Sequence, residues 1–201
     1  MYTIRSAEWG NVKDLWEKWR TYDLVNPTPT LRLENRIKKV WIDPTDLFAP
    51  RVEKTLVLID KDWADPSPDM DEIPDLVRNG ITAEGKILGV LQIQDFSTIH
   101  PPLRVAGIKN VAVPHELRNN GIGRKLMEAA DLYLKFLRYD LSMLYSSMYA
   151  SQYRFYEKFG YERYDEEFLL DRPRRVHLKF YTNTGLTGAE LSDLIKKAGK
   201  F

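Results

Sequence analysis

Arg118-Asn119-Asn120-Gly121-Ile122-Gly123 decides how this chain is read. The apolar run Val111-Ala112-Val113 precedes it, Pro114 opens the connection, and Arg124-Lys125-Leu126-Met127-Glu128-Ala129-Ala130 follows as a helical stretch. The order is strand, glycine-bearing turn, helix start. Such a turn is a physical site for phosphate. The first N–H groups of a helix have no carbonyl four residues back, and the helix dipole favours negative charge there. Gly121 and Gly123 carry no Cβ to hold a phosphate away from the backbone. Arg118 and Arg124 add permanent positive charge in a planar fork suited to phosphate oxygens. A G-x-G turn by itself is a weak signal, because many glycines before helices only tighten the turn.

Two other phosphate-binding turns do not match. No Gly, four residues, then Gly-Lys-Ser/Thr occurs in the sequence, and the final small position of a G-x-G-x-x-G fingerprint falls on Leu126. A second stretch adds to the first: Tyr149 to Tyr161 ends in Phe155-Tyr156-Glu157-Lys158-Phe159-Gly160-Tyr161. The spacing between the two leaves room for one long helix and one strand. With R-x-x-G-x-G after an apolar strand and this Tyr-Glu-Lys segment behind it, the chain resembles the GNAT N-acyltransferase superfamily. The resemblance is specific over residues 81–180; the first 80 residues match in general layout.

The resemblance implies an α/β (α+β) fold, a central, mostly antiparallel mixed sheet of about six to seven strands flanked by helices. It implies a single domain over 1–201, with a variable helical or loop region at 20–80 and a short terminal helix at 186–201. The implied reaction moves an acyl group, usually acetyl, from acetyl-CoA to a primary amine by direct transfer in a ternary complex. Contacts to the coenzyme A pyrophosphate would fall to Arg118, Asn119, Asn120, Gly121, Ile122, Gly123 and Arg124. The backbone of Val111, Ala112 and Val113 would pair with the pantetheine arm, and Tyr156 would donate a proton to the departing thiolate. Tyr149 stands where relatives often carry asparagine. Near Gly107, where some relatives carry a basic glutamate, there is no acid; Asp95, His100, Glu116 and a water relay stay open as the base. The acceptor is a small-molecule amine or a protein amine. A protein or peptide N-acetyltransferase and a non-catalytic coenzyme A-binding regulatory module are the alternatives.

Composition limits the rest. In 201 residues, 43% are hydrophobic and five are tryptophan, which suits a folded globule. A net charge of +1 gives no sign of a polyanion-binding surface, so nucleic acid is not expected as a partner. The absence of cysteine excludes disulfides, thiolate metal ligands and a cysteine acyl-enzyme, and no metal site is expected. Met1 to Ser6 lacks the apolar core of a signal peptide, and no run nears the ~20 apolar residues that span a bilayer. The expectation is a cytoplasmic protein without a membrane partner; a homodimer is compatible with it.

Patterning predicts the elements. Tyr2 to Arg5 alternates as a strand, Ser6 is read as a helix cap, and Val12, Leu15, Trp16 and Trp19 make one helical stripe. Leu31 to Trp41 reads as a charged helix and Thr55 to Ile59 as a buried strand. Acidic, proline-rich residues 62–80 read as a surface loop. Ile81-Thr82-Ala83 and Ile87 to Phe96 flank a turn at Glu84-Gly85-Lys86, and either Leu56–Ile59 or Ile81–Ala83 is the second sheet strand. Residues 104–113 continue the sheet, Leu141 to Ser146 is a strand, and Glu167 to Leu170 pairs with Val176 to Tyr181. The tryptophans are mostly core by spacing, with Trp41 and Trp63 the candidates to line an acceptor pocket. Arg172, Arg174, Arg175 and Lys179 read as a charged hairpin tip.

Overall fold

The computed structural model of the chain describes residues 1–22, 39–49, 51–62, 81–82, 85–147, 150–169 and 172–198. Its strands are β1 (Tyr2–Ala7), β2 (Trp41–Ile42), β3 (Glu53–Asp60), β4 (Ile81–Thr82), β5 (Gly85–Asp95), β6 (Val105–Ala112), β7 (Leu141–Ser147), β8 (Glu162–Leu169) and β9 (Arg172–Phe180). They form one sheet in the order β2-β1-β3-β5-β6-β7-β9-β8, and β4 pairs with β5 off that path. The helices are α1 (Trp9–Tyr22), α2 (Pro44–Leu47), α3 (Ile122–Phe136), α4 (Ala150–Glu157) and α5 (Gly188–Ala198). Registered pairs are antiparallel at β1–β3, β4–β5, β7–β9 and β8–β9, and parallel at β1–β2 and β6–β7. This is the mixed, mainly antiparallel sheet that the resemblance implied. β2 and β4 are two-residue pairings beyond its expected strands. Leu56 to Ile59 lie in β3, between β1 and β5, so the second strand is there and Ile81–Thr82 adds only β4. No helix among the described residues is long and apolar enough to cross a membrane.

Internal contacts divide the chain into two compact units: 1–49, 54–92 and 110–130 in the first, and 50–53, 93–109 and 131–201 in the second. In the first unit the predicted stripe of α1 is the core. Val12, Leu15 and Trp19 pack with Val57 and Ile59 of β3 and Ile87 and Val90 of β5, with Trp9 and Trp16 against the cluster. Ser6 is not a helix cap. It lies in β1, where its N–H donates to Asp46 Oδ2 at 2.5 Å, and α1 begins only at Trp9. Trp41 is likewise not helical; it pairs with Thr3 in β2 and is 52% exposed, because the short parallel pairing leaves its ring outside the core. Residues 31–38 of that expected helix, Trp63 and the acidic loop beyond Asp62 lie outside the described residues.

Gly89 sets how the start of α3 lies on β5. A Cβ there would stand 2.6 Å from Ile122 Cγ2, 3.0 Å from Leu126 Cδ1 and 3.3 Å from the Ala112 carbonyl oxygen. Only a residue without a side chain admits the helix at that depth. Gly89→Ala is expected to destabilise the protein by about 1–3 kcal/mol, the usual cost of overpacking, read from the urea midpoint at unchanged slope.

In the second unit one face of the sheet is apolar. Phe96, Val105, Leu141, Met143, Val176 and Leu178 pack with Leu191, Leu194, Ile195 and Ala198 of α5. Thr187 and Glu190 cap that helix reciprocally: the Glu190 amide donates to Thr187 Oγ1, and the Thr187 amide donates to Glu190 Oε2. The remaining polar groups are tied together. Asp131 of α3 accepts from Lys179 and from Tyr181 at 3.0 Å, and pairs with Lys135 at 2.7 Å. Burial raises the Asp131 pKa, but the hydrogen bonds from Lys135 and Lys179 outweigh it, and the carboxyl is held below its ordinary value. A depressed carboxylate adds stability above the unfolded pKa of ~3.9 and loses it as pH falls through the folded value. Asp131→Asn is therefore expected to lower the thermal midpoint at neutral pH and to flatten its fall below about pH 4. Thermal melts across pH 2–7 check this.

Candidate functional site

In the first unit, β6 leads to Pro114, a 3₁₀ turn at His115–Leu117, and then α3. Asn110 sits inside β6 at φ 52, a left-handed value that asparagine tolerates better than most side chains. Its Nδ2 donates to Gln92 Oε1 of β5 at 2.6 Å. The registered β6–β7 pairs run from Val105↔Leu141 to Ile108↔Leu144 and end there. Val111, Ala112 and Val113 therefore follow the last registered pair, and all three are partly exposed.

The turn itself is at the surface. Asn119 is exposed at φ 64, and Gly121 has φ 88, which a β-branched or bulky residue rarely adopts. The Lys125 amide donates to the Gly121 carbonyl at 3.0 Å, the first bond of the helix. The amides of Ile122, Gly123 and Arg124 therefore fall in the first turn, where no carbonyl lies four residues back inside the helix. Gly121 has no side-chain oxygen to accept from them. Asn120 is buried; its amide nitrogen donates to the carbonyls of Leu117 at 3.1 Å and Arg118 at 3.3 Å, so its side chain shapes the turn from inside. Arg118 Nε donates to the Val113 carbonyl at 3.3 Å, which pins that arginine along the turn. Arg124 pairs with Glu128 at 2.7 Å, and Lys125 pairs with the same carboxylate at 2.8 Å. Arg124 is 71% exposed in that pair, and an exposed pair holds its partners weakly.

Tyr156 belongs to the second unit, near the end of α4. Its ring is partly covered, lies 5.1 Å from the Phe155 ring and 6.0 Å from the His177 ring, and burial pushes its phenol up to about 12. His177 on β9 is fully buried; its Nε2 is 2.9 Å from Ser146 Oγ on β7, and its Nδ1 has no hydrogen-bond partner among the described residues. Burial, then Arg175 and Arg163, holds the imidazole below its ordinary pKa, which keeps it neutral at pH 7. Periodicity marked Ser146 only as a strand residue and gave no weight to His177.

The three proposed proton acceptors are not equivalent. Asp95 Oδ1 accepts from the Ser97 amide at 2.8 Å and from the Ser97 hydroxyl, which commits it to the turn after β5. His100 follows that turn, with Nδ1 buried and unpartnered among the described residues. The side chain of Glu116 and all of Tyr149 lie outside the described residues. At Gly107 a Cβ would stand 2.3 Å from Cε2 of Phe96, so the ring fills the space that a glutamate there would need.

Residues 78–163 match the family model described as an acetyltransferase (GNAT) domain. Over those residues the chain is similar to the GNAT acetyltransferase domain. Several solved structures share this GNAT fold. A chain of the NatC complex bound to Gag peptide and CoA is 15% identical over 90% of this chain and 99% of its own, with a TM-score of 0.54. A protein of Klebsiella pneumoniae assigned as an acyl-CoA N-acyltransferase is 14% identical over 90% and 97%, at 0.53. A variant of the spermidine N-acetyltransferase of Vibrio cholerae is 13% identical over 89% and 93%, at 0.50. At such identities the likeness is one of fold. A comparison with curated proteins found no match.

Proposed function

We propose that this protein is a GNAT acetyltransferase that transfers an acetyl group from acetyl-CoA to a primary amine, with both substrates bound together. The observation that carries the reading is the start of α3, where Asn119 and Arg124 are exposed and Gly121 and Gly123 partly so. There Gly121 at φ 88 opens a helix whose first amides belong to Ile122, Gly123 and Arg124. That donor set fits a diphosphate: main-chain amides, the helix dipole, and arginines able to bind oxygens in pairs. Arg118, Asn119, Asn120, Gly121, Ile122, Gly123 and Arg124 would hold the pyrophosphate, Asn120 through its backbone alone. The backbone of Val111, Ala112 and Val113, past the last registered β6–β7 pair, would take the pantetheine arm.

Acetyl-CoA supplies an activated acyl thioester when bound. Tyr156 is the proposed acid. A phenol at about 12 keeps its proton at neutral pH, and handing it fully to a thiolate of ordinary pKa ~8.5 would cost roughly 5 kcal/mol. Its work is thus hydrogen bonding to sulfur as charge develops, which strengthens in a dry site. The acceptor is the less determined half. The fold is shared by a complex holding a peptide with CoA and by a spermidine enzyme, which supports an amine on a small molecule or a peptide. One observation favours a non-catalytic coenzyme A-binding module instead: Phe96 occupies the place of an acid at Gly107. The two readings are separated by measuring acetyl transfer from acetyl-CoA across a panel of polyamines, amino acids and peptide N-termini. Turnover of any one supports the enzyme; coenzyme A binding with none supports the module.

A further inference from the structure

Asn110 adopts a backbone conformation that strands avoid, and a buried partner on the neighbouring strand keeps it there. Its φ is 52 inside β6, where strand residues lie at about −120 to −140. Its Nδ2 donates to Gln92 Oε1 of β5 at 2.6 Å, and Gln92 is only 4% exposed. A buried amide oxygen that loses its donor is costly, so the bond resists opening. Left-handed residues inside strands persist only where their surroundings over-determine them, and Gln92 does so here. A reversed residue re-aims the peptide groups that follow it and interrupts regular pairing. The registered β6–β7 pairs end at Ile108, just before Asn110, and Val111, Ala112 and Val113 follow it partly exposed. Gln92, Asn110 and these three residues all belong to the first unit.

We propose that the Gln92–Asn110 bond is a latch that positions the pantetheine arm of coenzyme A. It fixes the direction in which the peptide groups of Val111, Ala112 and Val113 present N–H and C=O to an amide-bearing chain. The inference rests on the coenzyme A reading above. It adds Gln92 and Asn110 as positioning residues, which act through the backbone rather than by touching the ligand. Asparagine suits that role: it tolerates left-handed φ better than most side chains, and its short amide reaches a neighbour. Preset peptide groups spare the complex the entropy of ordering them, so the latch contributes to affinity only where the arm lies. The diphosphate half of coenzyme A, at the start of α3, gains nothing from it.

Two ligands and two variants test it. Coenzyme A carries the arm; 3′-phospho-ADP carries the same diphosphate without it. In the parent, calorimetric titration should show coenzyme A binding the tighter. Gln92→Met removes the acceptor at similar length, and Asn110→Gly keeps the left-handed φ accessible without the amide. Each is expected to weaken coenzyme A binding about tenfold, the scale of one hydrogen bond. Each should keep 3′-phospho-ADP affinity within about twofold, because the diphosphate binds away from the latch. The double variant should lose no more than either single change, since both delete the same bond. Should Gln92→Met not fold, Asn110→Gly gives the answer by itself. Parent-like coenzyme A affinity in Asn110→Gly overturns the latch. Equal losses for the two ligands overturn it as well, because they mark a bond that serves only the fold. Additive losses in the double variant do the same. A parent that binds coenzyme A no tighter than 3′-phospho-ADP removes the pantetheine assignment beneath the proposal instead.

Discussion

Gly121→Val is expected to weaken coenzyme A binding on the order of 100-fold, with the fold retained. Gly121 lies at φ 88. Valine is β-branched and pays about 1–3 kcal/mol to hold such a conformation, so the turn relaxes to one it tolerates. The Gly121 carbonyl accepts the first helical bond, from the Lys125 amide at 3.0 Å. Relaxing it rotates the amides of Ile122, Gly123 and Arg124 away from their common direction. A hydrogen bond to a charged group contributes roughly 1.5–3 kcal/mol, and ~1.4 kcal/mol is tenfold in affinity. Losing one or two such bonds gives the stated factor. Calorimetric titration with coenzyme A measures it, with Gly10→Ala as control, because a Cβ at Gly10 meets nothing within 4 Å. Parent-like affinity in Gly121→Val would remove the cradle from the account.

Tyr156→Phe is expected to lower kcat by ~10²-fold or more while KM for acetyl-CoA moves little. The substitution keeps the ring against Phe155 and His177, which are its contacts at 5.1 and 6.0 Å, and deletes the hydroxyl alone. An interaction made only as charge builds on sulfur affects kcat and kcat/KM equally. Steady-state kinetics on the best acceptor of the panel gives the answer. Should Tyr156→Phe turn over at the parent rate, the phenol is only a packing group on α4.

What the sequence made legible was local. The R-x-x-G-x-G turn and the Tyr-Glu-Lys segment are contiguous, and each carries its chemistry in adjacent residues, so no tertiary contact was needed to find them. The long helix after Gly123 was equally plain, because Ile122, Leu126, Ala130 and Tyr133 recur at helical spacing and are all buried. Ser6 misled because a serine ahead of an apolar stripe resembles a cap, whereas β1 continues through it to reach Asp46. Gly89 and Gly107 were illegible for a different reason. Each acquires its meaning from a residue brought beside it by the fold: Ile122 for Gly89, and Phe96 for Gly107. The Ser146–His177 bond spans two strands and had no signature in either. Positions whose role depends on a cross-strand neighbour are invisible to periodicity.

The central claim is that the first turn of α3 receives the diphosphate of coenzyme A. Amide chemical shifts recorded as coenzyme A is added test it most directly. The account predicts that Gly121, Ile122, Gly123 and Arg124 move most and saturate together, and that dephosphorylated pantetheine leaves them still. Large shifts confined to other segments, with those four amides unmoved at saturation, would contradict it.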